Sequence, residues 1–227
     1  MKPTLFPHPK HAEGPNALKA SAPLGGTATP WPLDHIRPTQ MCVGWREVAR
    51  KRRGLRVGGS AWIANRTIPV VLGQCSTAYA LDRHHRLCAM AAEGVCETAV
   101  YIVDDLSDLD EPAFWRLLDK RGWCRLLDRA GVPQPLSKMA TKLASLADDP
   151  LRSLAGSLRR HGGYTKCDGP FSEFRWADYL RLYISPAHVL ADYVGATALA
   201  LELAGKWDAR DLPGWRAASV APSSAPI

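Results

Sequence analysis

The chain lacks several signatures that would have narrowed its function at once. Its 227 residues contain no apolar run near the roughly 20 residues a bilayer-spanning helix needs. The N-terminal "MKPTLFPHPKHAEG" has no apolar h-region of a secretory signal. The expectation is a soluble, cytoplasmic protein with no membrane partner. Six cysteines (Cys42, Cys75, Cys88, Cys96, Cys124, Cys167) form no C-x-x-C pair, which argues against a zinc ribbon or a thioredoxin-like site and predicts buried, reduced thiols. No internal repeat is present. Acidic residues are fewer than basic ones, 22 against 29, for a net charge of +7. That balance favours anionic partners such as nucleotides or nucleic acid.

Much of the excess sits in "WREVARKRRGLR" (45–56), where Arg50, Lys51, Arg52 and Arg53 are consecutive. The bland reading of such a run is a solvated helix end complementing the macrodipole. Residues 1–30, rich in Pro, Gly and Ala, read as a flexible arm. "HIRPTQ" (35–40) reads as extended, since Pro38 biases Arg37 away from helix. A helix is expected from about Val43 to Arg53, ended by Gly54, with Gly58 and Gly59 in a loop. "TIPVVLG" (67–73) and "TAYAL" (77–81) read as a hairpin across "GQCS", residues 83–93 as a helix ended by Gly94, and "ETAVYIVDDL" (97–106) as a third strand. A capping box from Ser107 to Asp110 opens the next helix. Asp149 caps another with Pro150 at its first position and Gly162 after it, and "SEFRWADYLRLYI" and "PAHVLADYVGATALALELAGKW" are two more. The fold class expected is α/β (α+β): a small mixed sheet over 31–106, a helical layer over 107–215 packed on it, and a tail at 216–227.

The segment "YALDRHHRLCAM" (79–90) carries the chemistry. Asp82 is placed to cap a helix whose first turn holds Arg83, His84 and His85. Helix-start amides lack intrahelical partners and favour an anion; Arg86 and the imidazoles add donors, most naturally for phosphate. The simpler alternative is that Asp82 only caps while the basic side chains face water. Metal ligation fits poorly, because adjacent histidines diverge by about 100° on a helix. His84 shares a face with Leu87, Cys88 and Ala91, and His85 leans toward Ala89 and Ala92, so one is expected to be partly buried and the other free to meet ligand.

"IRPTQMCVGWREV", "IPVVLG" and "YALDRHHRLCAM", followed by "PLSK" (135–138), "DDPLRSLAGSLRRHGGYTK", "PFSEFRWADYLR" and "LPGW" (212–215), resemble the ParB-like nuclease group of the ParB/sulfiredoxin superfamily, over about residues 34–215. The separate helix-turn-helix and long arginine-rich box of chromosome-partition ParB are not evident, and Arg83 stands where glycine or histidine is common. The resemblance implies a ParB/sulfiredoxin-type mixed sheet whose His/Arg helix start holds nucleotide phosphates; relatives include sulfiredoxin, a free-serine kinase and nucleotide-hydrolysing partition proteins. It places Asp82, His84, His85 and Arg86, with Gln40 of the "PTQ" opening, at the phosphate site. Glu47 becomes the candidate acidic base or metal-facing group, the simpler alternative being a solvent-exposed helix glutamate, and Glu47 or His85 would handle the proton. Lys138, Lys166, Glu173 and Arg175 would close over the ligand, whereas Phe174 and Trp176 read as core. The expected ligand is a nucleoside di- or triphosphate, with or without Mg2+, or another phosphorylated small molecule. The expected activity is phosphoryl transfer or hydrolysis, with nucleic-acid binding or a nuclease as the alternative.

Overall fold

The computed structural model describes residues 28–167 and 171–217. The arm read over 1–30 lies outside them up to residue 27, but its last residues, Thr29 and Pro30, belong to a strand paired with Val100 and Ala99; the tail from 218 onward lies outside too. In chain order come β1 (Thr29–Pro32), β2 (Ile36–Pro38), β3 (Cys42–Val43), α1 (Trp45–Ala64), β4 (Ile68–Gly73), β5 (Thr77–Ala80), α2 (His84–Ala92), β6 (Glu97–Asp105) and α3 (Glu111–Lys120). The C-terminal part holds β7 (Ala147–Asp148), α4 (Pro150–Arg160), α5 (Ser172–Arg181), α6 (Pro186–Ala191) and α7 (Tyr193–Ala204).

Five strands form one mixed sheet in the order β1-β6-β4-β5-β2. β4 is buried along its whole length, as its unbroken "IPVVLG" requires of a central strand, and runs parallel to β6 and antiparallel to β5. The hairpin turn has left-handed Cys75 (φ 54°) and Ser76 (φ 53°). One sheet face packs on α1 and α2 through Val48, Leu55, Leu87 and Met90. The other packs on Phe114, Trp115 and Leu118 of α3. Helices α4 to α7 gather around Trp176, Leu154 and Leu180. This mixed α/β architecture is the expected class. The back half is less helical than expected: between α3 and α4 the chain runs through turns, isolated bridges and β7.

Strand β3 pairs in parallel with β7, Trp45 donates its amide to the Asp148 carboxylate (2.9 Å), and Gly44 lies against Ser153. Asp149 caps α4 as the Asp-Pro pair predicts, accepting from the amides of Leu151 and Arg152 at 3.0 and 3.2 Å.

Four expectations fail for identifiable reasons. Helix α1 does not end at Gly54 but runs on to Gly58, where the chain kinks at Gly59 (φ 51°, ψ −138°) into a short second helical segment that reaches Ala64. Gly54 and Gly58 are packing residues: a Cβ would lie 3.0 Å from the Trp62 Nε1 and 2.9 Å from its Cβ. The run Arg50–Arg53 therefore sits in mid-helix, where Arg52 pairs with Glu93 (2.6 Å). Helix α3 is capped by Asp110, which accepts from the Ala113 amide (2.7 Å), and Ser107 lies outside it. The last predicted helix is two, separated at Asp192, whose carboxylate caps α7 through the Gly195 amide (2.9 Å). Of the cysteines, all free, only Cys42, Cys88 and Cys124 are buried, with thiols pushed up to about 12 by burial; Cys75 and Cys96 are exposed and Cys167 is half-buried.

Candidate functional site

Helices α1, α2, α4 and α5 wall a cleft of about 570 Å³, within the range of small-molecule sites. The structure brings Gln40, Glu47, Asp82, His84, His85, Arg86, Lys166 and Glu173 to its lining. Lys138 is not among them: it ends an exposed 3-10 turn, Leu136–Lys138. Arg175 points its guanidinium to the Asp211 carbonyl (3.3 Å).

The start of α2 departs from the predicted cap. The N-cap is Arg83, held in the left-handed region (φ 67°) with its guanidinium bonded to the Thr67 carbonyl. Asp82 spends its carboxylate on the Arg83 amide (2.6 Å). No side chain caps α2, so its first amides and positive dipole end remain available.

Neither histidine is free in the sense expected. His84 and His85 are 3% and 8% exposed. The Thr39 amide donates to His84 Nε2 (3.1 Å), and the Gly44 amide donates to His85 Nε2 (3.0 Å). Adjacent imidazoles thus tie β2 and the start of α1 to α2, because their 100° divergence aims them at different segments. Burial pulls His84 down to about 3. Burial, reinforced by Arg152 and Lys51, holds His85 well below 6.5. Both rings are neutral with Nε2 as acceptor, which leaves the hydrogen on Nδ1. In this state His85 offers a donor, and acting as a base would require its Nε2 to leave the Gly44 amide.

Among the described residues, eight lysines and arginines line the cleft against three carboxylates. Glu47 is buried and held by Arg160 (2.6 Å) and Arg50 (3.3 Å), not solvent-exposed. Glu173 is held by Arg159 (2.7 Å) and Arg152 (3.6 Å), which keep it below the usual carboxylate range although burial works the other way. Lys51, Arg66, Arg83, Arg86 and Lys166 have no ion-pair partner among the described residues. Arg86 lies over the Trp62 ring, donates to the Ile63 carbonyl and Asn65 Oδ1 (both 3.2 Å), and is lowered to about 10 by burial and by Arg83 and Arg66. The buried Nε atoms of Arg86 and Arg152 have no acceptor.

Trp62, Arg152 and Arg159 were not singled out from the sequence, and Lys51 was read only as part of the basic run Arg50–Arg53. Lys51 had a signal, four residues after Glu47 and so on the same helix face. Arg152 and Arg159 come from a helix that begins 58 residues after α2 ends, and nothing local announces that approach. Among the described residues no three His, Cys, Asp or Glu side chains converge as a metal would need, and no helix is long and apolar enough to cross a membrane.

The chain is similar to protein Atu1540 from Agrobacterium tumefaciens, known from a crystal structure, with 38% identity over 85% of this chain and 97% of that one and a TM-score of 0.80. No curated protein matches it. A family model described as "Putative ParB-like nuclease" matches residues 29–182, which takes in the sheet, α2 and three walls of the cleft. By that match over most of its length, the chain belongs to the ParB-like nuclease family.

Proposed function

We propose that the cleft binds the phosphates of a nucleotide and that the protein is an enzyme acting on the phosphoester or phosphoanhydride bond. One observation carries this: five cations in a partly buried cleft have no carboxylate partner among the described residues, beside a helix start that no described side chain caps. Such a cluster is costly unless an anion joins it. Arg86 and the first amides of α2 would hold phosphate oxygens, Gln40, Asp82, His84 and Lys166 lie along the same lining, and the His85 Nδ1–H is a further donor. Fixed donors of this kind stabilise charge as it develops on the transferring group. Glu47 is the proton acceptor in this reading. Its carboxylate is already neutralised by two guanidiniums, so it does not fit a resident divalent cation; Mg2+ would arrive with the nucleotide.

A short run of phosphodiesters, in the manner of a nuclease substrate, is the second reading. Five cations without a partner among the described residues call for several phosphate groups, and successive phosphodiesters of a nucleic-acid strand would supply them as well as one nucleotide does. Titration calorimetry with ADP, ATP, CTP and a short single-stranded oligonucleotide separates the two. Arg86→Ala should bind nucleotide roughly ten- to a hundredfold more weakly, an effect of about 1.5–3 kcal/mol. Glu47→Gln should keep binding and lose turnover. Oligonucleotide binding that exceeds nucleotide binding and collapses with salt selects the second reading. Unchanged binding by Arg86→Ala overturns the phosphate site.

A further inference from the structure

Lys51 lies one helical turn beyond Glu47 on α1 and lines the same cleft, half-buried. No carboxylate among the described residues pairs with its amine, because the nearest, Glu47, is occupied by Arg50 and Arg160. The other groups around it are cationic or neutral: Arg50 on its own helix, Arg86 and the uncharged His85 on α2, and Arg152 on α4. A primary amine so placed has little to stabilise its proton until an anion arrives.

We propose that Lys51 is a ligand-gated proton acceptor in the cleft: a phosphate dianion binds beside it with uptake of a proton, and affinity falls as the pH rises above neutrality. This rests on the phosphate-binding reading of the cleft. Burial, then Arg50, lowers the amine from 10.5 to about 8, while Glu47 acts in the opposite direction. A dianion next to the amine raises it again, since an opposite charge favours the charged form. Near pH 7 the amine is already mostly protonated and binding takes up little. Near pH 9 it is mostly neutral, and the proton must be gained from solvent as the ligand binds. The ligand contributes no comparable change in this window, because a phosphomonoester loses its second proton at about pH 6. His84 and His85 stay neutral throughout.

Calorimetry with ADP at pH 7, 8 and 9, each in two buffers of different ionisation enthalpy, counts the protons. The expected uptake is about half a proton at pH 8 and close to one at pH 9, with affinity roughly tenfold weaker at pH 9 than at pH 7. Lys51→Arg keeps the charge and cannot titrate in this range, so its affinity should be nearly flat. Lys51→Met should be weaker at pH 7 and also nearly flat, and it provides the comparison if the longer arginine is not accommodated. ADP binding that depends on Arg86 but shows the same pH profile in parent and both variants refutes the role of Lys51 and leaves the phosphate cleft standing. Absence of binding by any nucleotide refutes both.

Discussion

The guanidinium carbon of Arg86 lies 3.5 Å from the centroid of the Trp62 ring, so an arginine at the start of α2 rests on an indole from the far end of α1. Three glycines make this contact. Gly54 and Gly58 leave room for the indole, and Gly59 adopts the conformation that turns the chain back over them. The stack orients Arg86 while Ile63 and Asn65 take hydrogen bonds from one of its nitrogens.

Trp62→Ala should therefore weaken nucleotide binding by severalfold, the effect of losing a cation–π contact worth about 0.5–2 kcal/mol. Combined with Arg86→Ala it should add little, because the indole acts through the guanidinium. A double-mutant cycle by calorimetry checks this; full additivity would give Trp62 a separate role.

Acid should destabilise the protein through its two buried histidines. Their native-state values are depressed, so below 6.5 the unfolded chain binds protons that the native state does not. Stability is full above pH 6.5 and is lost as the pH falls through it, by about 2 kcal/mol per histidine at pH 5. Urea denaturation from pH 8 to 5 measures the slope, and His84→Gln should reduce it.

Gly44→Ala should disturb fold and site together. Its Cβ would meet the Ser153 backbone, 2.7 Å from the amide nitrogen, and push the segment whose amide holds His85. A cost of about 1–3 kcal/mol is expected. At this chain length that lowers Tm by about 2–4 °C for each kcal/mol.

Asp149 is fully buried, and it joins the α4 cap to Arg181 on α5 (2.7 Å). Asp149→Ala should cost about 1–3 kcal/mol, from the lost cap and the lost hydrogen bonds, because Arg181 keeps its second partner, Asp178 (2.5 Å). Asp149→Asn can still accept from the cap amides and should cost less. Comparable melting of both variants would show that the cap contributes little.

How much of this was legible in the sequence depends on how local the cause is. β4, β5 and β6 follow from β-branched runs between turn residues, and Asp149-Pro150 is a helix start because a carboxylate and a ring without an N–H suit the first turn. The resemblance found the cleft's floor, since Asp82 to Arg86 are contiguous. Gly54 misled because a glycine that ends a helix and one that admits an indole look alike until Trp62 is in place. Asp82 misled because the backbone at Arg83 turned left-handed and took the carboxylate for its own amide. Local chemistry, carried by neighbours along the chain, was thus determined by the sequence alone: strands β4, β5 and β6, the α4 cap and the cluster of donors at α2. Only the tertiary structure decided that both imidazoles are buried and neutral, that Glu47 is clamped between Arg50 and Arg160, and that Lys51 has no counter-ion among the described residues. Burial and pairing of charge depend on helices distant in sequence meeting in space, and α4 supplies Arg152 and Arg160 from about 100 residues beyond α1.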